Sequence, residues 1–163
     1  MPKLAKRFLI MFFSLVLVTM VLFASWQNRQ AWFGYDLYRV ESYSMLPTLK
    51  PNDVVLVKLF QEPGKGELNP QDIVVLRSPH DPTSKLIKRL VHIPGDTVTY
   101  SQTTTELDPK SRLPQVIRKT RTLENIEGYF VLGDNPSNST DSREFGVVPH
   151  DQIVGLVVQV FSF

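Results

Sequence analysis

Cysteine is missing from all 163 residues. Its absence excludes disulfides, thiolate metal sites and cysteine nucleophiles. It is compatible with an oxidising compartment but does not require one. Histidine is scarce. His80, His92 and His150 stand at no metal-ligand spacing, so neither a metal nor another cofactor is expected. Net charge is nearly absent at +2, and no basic stripe with interleaved aromatics exists, so nucleic acid is not an expected partner. Internal repeats and low-complexity tracts are also lacking. Beyond residue 30 no segment sustains a 3.6-residue apolar period, which argues against a helical soluble domain.

One absence is positive information. Residues 8–26 contain no charge and are mostly Phe, Leu, Ile, Met and Val. That is close to the ~20 residues a helix needs to cross a hydrocarbon core, so lipid is an expected partner. Lys3, Lys6 and Arg7 precede the run, which places the N-terminus in a cytoplasm or an organelle matrix. Trp26, Trp32, Phe33, Tyr35 and Tyr38 form an aromatic group at the exit interface. The alternative is a cleaved secretory signal. Against it, the run is long, and Leu22-Phe23-Ala24-Ser25-Trp26 has no clean small-x-small site. Residues 1–30 therefore read as a tip and an anchor, and residues 31–163 as a domain on the far side.

That domain reads as strands punctuated by turns. Residues 53–60 and 72–76 are β-branched runs bounded by Pro and Gly, and 86–92, the Thr-rich 97–105, 128–132 and the apolar 153–163 are further strand candidates. Residues 61–69, with Pro63, Gly64 and Gly66, form a loop. The polar stretch 108–125 is a flexible surface loop or a hairpin insertion. The expected class is mainly β: a coiled antiparallel sheet or barrel-like domain behind a single N-terminal transmembrane helix.

Three segments carry chemistry. In Ser42-Tyr43-Ser44-Met45-Leu46-Pro47-Thr48-Leu49, Pro47 keeps the chain out of a helix interior. Ser44 on such a rigid turn can expose its hydroxyl and its own N–H together. Ser42, two residues back on an extended strand, shares that face and can donate to an oxyanion. In Leu86-Ile87-Lys88-Arg89-Leu90-Val91, alternation sets Lys88 on an apolar face with Leu86 and Leu90. Burial there lowers a lysine pKa toward that of a usable base. A snorkelling lysine is the bland alternative. Third, Gly133-Asp134-Asn135-Pro136-Ser137-Asn138-Ser139-Thr140-Asp141-Ser142-Arg143 is a turn dense in hydrogen-bonding groups. Ser139 can accept a hydrogen bond from an N–H of a neutral lysine amine, while Asp141 and Arg143 pair and pin the turn.

Ser-Met-x-Pro-Thr-Leu, then Lys-Arg-x-x-x-x-Pro-Gly-Asp, then Gly-Asp-Asn-x-x-x-Ser-x-Asp-Ser-Arg, in this order behind one anchor, resembles the type I signal peptidases. The resemblance runs from the anchor to about Pro149. It implies a membrane-bound serine endopeptidase with a Ser–Lys dyad and no metal, which removes signal peptides from exported precursors after small residues at −1 and −3. It implies Ser44 as nucleophile, Lys88 as general base, Ser42 with the Ser44 amide as oxyanion donors, Ser139 as the lysine-orienting residue, and Asp141 with Arg143 as support. Val40, Met45 and Ile87 then narrow the substrate pocket. Larger bacterial members have a long second β-region between the Pro-Gly-Asp and Gly-Asp-Asn turns, and here only residues 97–132 lie there. The compact form resembles small bacterial enzymes of the plasma membrane, with an extracytoplasmic domain. As an alternative it also resembles the mitochondrial inner-membrane peptidases, facing the intermembrane space, for which a partner subunit is implied. A rival of another class is a membrane-tethered β-domain that binds peptides without catalysis.

Overall fold

The computed structural model describes residues 2–27, 34–60 and 67–162. Trp32 and Phe33 of the expected aromatic group, and Pro63, Gly64 and Gly66 of the expected loop, lie outside the described residues. The chain divides into two compact units, Met1–Tyr35 and Asp36–Phe163.

The first unit is built on helix α1, Pro2–Gln27. Its segment Lys6–Trp26 has a mean hydropathy of 2.6 and none of it is buried by protein. At ~1.5 Å per residue its 21 residues match the ~30 Å hydrocarbon core. The hydroxyls within it are satisfied locally. Ser14 donates to the Met11 carbonyl and Thr19 to the Val16 carbonyl, each at 2.8 Å, so neither requires water.

The second unit is mainly β, as expected. Its strands are β1 (Tyr35–Arg39), β2 (Val54–Leu59), β3 (Ile73–Arg77), β4 (Lys85–His92), β5 (Val98–Leu107), β6 (Pro114–Leu123), β7 (Phe130–Leu132) and β8 (Ile153–Phe161). Six form one sheet in the order β1-β2-β8-β3-β4-β7, and β5 and β6 form a separate hairpin. The pairings of β2 with β8, β8 with β3, β3 with β4 and β4 with β7 are antiparallel. The sheet is open at β1 and β7, yet it coils. Lys85 of β4 donates to the hydroxyl of Tyr38 in β1 at 2.9 Å, although three strands separate them in the sheet.

Coiling follows from burial on both faces. Central β3 sends Val74 and Leu76 into one apolar cluster with Leu90, Val131 and Ile153. It sends Val75 into the other, with Val40, Met45, Leu49, Val55 and Val57. A strand apolar on both sides is stable only when both sides are covered. The stretch 108–125 is a hairpin arm rather than a flexible loop, with β5 and β6 paired along ten residues each. A one-turn helix α2 (Ser142–Phe145) follows the Gly-Asp-Asn segment. The Ser142 hydroxyl accepts the buried Val131 N–H at 2.9 Å and fastens α2 to β7.

Candidate active site

Ser44 lies in a turn, as expected, whereas Ser42 lies beyond the end of β1 and not on the extended strand expected for it. The turn itself brings the two hydroxyls together, with Ser42 Oγ 3.1 Å from Ser44 Oγ. Ser44 is buried and Ser42 is exposed. Two apolar neighbours root this turn in the core. Met45 and Leu49 are fully buried, and the Leu49 N–H donates to the Met45 carbonyl at 2.9 Å. From beyond, Asn135 clamps it: its N–H donates to the Ser44 carbonyl at 2.9 Å and its Nδ2 to the Tyr43 carbonyl at 3.0 Å. The Ser44 N–H donates to no backbone carbonyl among the described residues, so it remains available as a donor.

Lys88 is 3% exposed. Strand register sets it opposite Val74, between Leu86 and Leu90 on its own face. Burial pushes its amine below the ordinary lysine range. The Asp141 charge opposes this and the Arg143 charge reinforces it. Ser44 and Lys88 line one cavity of about 180 Å³, with Val40, Ser42, Met45 and Ile87 in its wall. Val40 and Met45 serve at once as core and as wall, because both belong to the buried cluster around Val75. No hydrogen bond joins Lys88 to Ser44 or Ser139 among the described residues. Catalytic hydrogen bonds are often loose without substrate and tighten on binding.

The third segment converges on Asp141, which is fully buried. Its carboxylate accepts from Ser139 Oγ at 2.8 Å, from the Gly133 N–H at 3.0 Å, and from Arg143 Nε at 2.8 Å and Nη2 at 2.7 Å. Burial alone would raise its pKa. The bonds from Arg143, Gly133 and Ser139 outweigh burial and hold the carboxyl below the usual carboxylate range. The single Ser139 proton is therefore committed to Asp141, and what the hydroxyl can still offer is lone pairs. Gly133 is required by closeness: a Cβ there would overlap Ser139 Oγ and the Ser44 carbonyl.

Sequence reasoning missed a second ion pair. Arg89 alternates to the face opposite Lys88 and grips Asp134 with both arms, Nε to Oδ1 at 2.8 Å and Nη2 to Oδ2 at 2.6 Å. It also donates to the Gln71 carbonyl at 2.8 Å and reaches Thr48 Oγ1 at 3.4 Å. One guanidinium thus ties β4, the Gly-Asp-Asn turn and the Ser44 turn together. The signal was present: two adjacent cations in an apolar strand each need an explanation, and the turn holds two carboxylates.

Comparison with known proteins decides the family. The model for signal peptidase, peptidase S26, matches residues 5–125 and 108–162. The chain belongs to the signal peptidase family. It is 37% identical over 121 residues to the mitochondrial ATP-independent inner membrane protease subunit 1b of Arabidopsis thaliana, covering 71% of this chain and 63% of that one. It is 34% identical over 134 residues to the mitochondrial inner membrane protease subunit 1 of Saccharomyces cerevisiae, covering 80% and 70%. It is 32% identical over 146 residues to the signal peptidase I of Bacillus caldolyticus, covering 77% and 78%. The chain spans about 60% of the length of several curated relatives it matches. With its apolar helix, this member of the signal peptidase family is a membrane-anchored protein.

Proposed function

We propose that the protein is a membrane-anchored serine endopeptidase that removes N-terminal signal peptides from exported precursors, cutting after small residues at −1 and −3. The observation that carries this reading is a lysine buried in an apolar strand face, sharing one small cavity with a buried serine. Neither residue contributes to stability there as a hydrophobic side chain would, and together they form a nucleophile and a base.

In the proposed cycle Ser44 Oγ attacks the scissile carbonyl and neutral Lys88 takes its proton. The oxyanion rests between the Ser44 N–H and the Ser42 hydroxyl. Protonated Lys88 then gives its proton to the leaving amine as the C–N bond breaks. A water next attacks the acyl-serine, with its proton passing through Lys88 and back to Ser44. Ser139, with its own proton given to Asp141, accepts an N–H of Lys88 and turns the amine lone pair toward Ser44. Val40, Met45 and Ile87 leave a cavity sized for small substrate side chains. The anchor confines enzyme and tethered precursor to one membrane and raises their effective concentration.

Orientation follows the positive-inside rule: N-terminus cytoplasmic, catalytic domain extracytoplasmic. The names of the Arabidopsis and yeast relatives favour a second reading of the compartment, a mitochondrial inner membrane with the domain facing the intermembrane space and a second peptidase subunit. The test is incubation of the reconstituted full chain with several precursors, followed by sequencing of the new N-termini. Wild type is expected to release mature proteins beginning after a small residue. Processing unchanged by Ser44→Ala would sink the peptidase reading and leave a non-catalytic peptide-binding domain.

A further inference from the structure

The β5–β6 hairpin takes no part in the site described above, and its composition is unlike the rest of the chain. Between residues 98 and 123 it carries five basic residues and two acidic ones, while the whole chain has a net charge of +2. Its base is anchored: Val98 and Leu123 pack with Ile126 and Phe130. Its far end carries the opposite character, with Leu107 68%, Leu113 64% and Val116 73% exposed.

That end is a built structure. Asp108 accepts from the N–H groups of Lys110 and Ser111 at 2.7 Å and from Gln115 Nε2 at 2.9 Å. The Asp108 N–H donates to the Leu113 carbonyl and the Arg112 N–H to the Asp108 carbonyl, both at 2.9 Å. Strand register sets Leu107 opposite Pro114, Thr105 opposite Val116 and Thr103 opposite Arg118, so these six share one face. The result is an ordered apolar tip flanked by Lys110, Arg112 and Arg118.

We propose that this tip docks on an anionic bilayer surface, with Leu107, Leu113 and Val116 entering the headgroup–acyl boundary and Lys110, Arg112 and Arg118 contacting lipid phosphates. Exposed apolar side chains ringed by cations fit that boundary. A second copy fits poorly. The hairpin's two acids are already engaged, Glu106 with Lys119 and Asp108 within its turn, so two tips would set cations against cations. A protein partner also fits poorly, because three apolar side chains fall far short of the roughly 20–30 residues a side of a stable interface. The inference rests on the chain lying at a membrane and not on its peptidase activity. It gives the domain a second membrane attachment besides its helix, which restricts rotation about the tether.

The cysteine-free chain allows a direct test. A single cysteine at Leu113→Cys in the full chain, carrying an environment-sensitive fluorophore, is reconstituted into vesicles of zwitterionic lipid with or without anionic phospholipid. Spin-labelled lipids serve as quenchers, and Ser101→Cys near the hairpin base is the control. A blue shift and quenching at position 113, stronger with anionic lipid, weakened by salt and absent at 101, are expected. The neutralising changes Lys110→Gln, Arg112→Gln and Arg118→Gln together lower the docked-to-free ratio about a hundredfold, at about fivefold per residue. Ser44→Ala in the labelled chain leaves the signal unchanged, which separates this inference from the catalytic one. A label that stays in water at every lipid composition overturns the proposal. So does a signal that follows protein density, with energy transfer between copies, since that assigns the tip to a second copy.

Discussion

Lys88 and Arg89 are adjacent cations on one strand, and the fold treats them oppositely. Lys88 faces inward, without a direct hydrogen-bond partner among the described residues, and burial drives its pKa down. Arg89 faces the other way and keeps about a quarter of its side chain exposed. The Asp134 carboxylate holds it by both arms and raises its pKa further. The difference teaches that an apolar strand does not fix the protonation of its cations. The partner decides: a bidentate carboxylate raises a cation's pKa, and without one burial lowers that of an amine. The arginine's fork holds structure, and the buried amine suits the proton exchange proposed for the lysine.

The largest expected effect breaks the comparison at Lys88. Lys88→Met should lower precursor processing by about 10³-fold or more, because the general base is gone. It should also raise stability in urea unfolding, by up to about 2 kcal/mol at neutral pH, because a buried amine becomes a thioether chain of similar shape. The sign has a pH signature. The native amine releases its proton at lower pH than the unfolded one, so the wild type's deficit is present at neutral pH. It shrinks as pH rises toward the ~10.4 of a free lysine. Lys88→Arg should be inactive without the stability gain, since guanidinium keeps its proton. A Lys88→Met protein that still processes precursor would end the dyad reading.

Next in size is Asp141→Asn, which removes the charge that holds Arg143, Ser139 and the Gly133 N–H at once. Breaking a buried pair from one side costs about 3–5 kcal/mol, read as a lower urea midpoint with unchanged slope. The wild-type carboxyl sits below its usual range, so its contribution is complete above the ordinary carboxylate range. It is lost as pH falls through the lowered native value. Acid unfolding of wild type should therefore be steeper than that of Asp141→Asn. Equal acid profiles would show that Asp141 is not the charged hub.

Much of this architecture was legible because burial leaves a pattern. The runs 72–76 and 86–92 lie within one residue of β3 and β4: the first is a nearly continuous apolar run, as a strand covered on both faces is, and the second keeps apolar residues on both sides of Lys88 and Arg89. The strand β6 was hidden inside a polar stretch, because an arm solvated on both sides shows no alternation. The strand β1 was hidden behind an aromatic interface reading of Tyr35 and Tyr38. Ser44, Lys88, Ser42, Ser139, Asp141 and Arg143 were each legible as residue types with a task. The geometry among them was not. The Ser42–Ser44 contact comes from a turn, and the proton of Ser139 goes to Asp141, which follows only once that carboxylate is known to be buried and ionised. For Arg89 and Asp134 the residue types gave a signal but the pairing did not: 45 residues separate the two, and only the β4–β7 register joins them.

A smaller effect tests the structural side of the comparison. In a double-mutant cycle of Arg89→Met and Asp134→Asn, each single change should cost about 1–2 kcal/mol, and the coupling should be about 1 kcal/mol. The pair is only partly buried, so the values lie well below those for Asp141. Activity should fall by less than tenfold, because the fork sets the distance between β4 and the Ser44 turn without touching the atoms proposed to react. Additive costs would show that the two residues act separately.

The finest distinction separates the two arginines. The charges that act on Lys88 are those of Asp141, which raises its pKa, and Arg143, which lowers it. In the proposed cycle processing requires neutral Lys88, so the rising limb of the pH–rate profile should follow its pKa and lie below the ~10.4 of a free lysine. Arg143→Met removes a neighbouring cation and leaves Asp141 in place, so protonated Lys88 becomes easier to form and the limb should move to higher pH. Arg89→Met removes a cation from the other face of the strand and should lower the rate without moving the limb. A shift with Arg89→Met and none with Arg143→Met would reverse the assignment. It would mean that the outer fork, and not the inner one, sets the charge of the base.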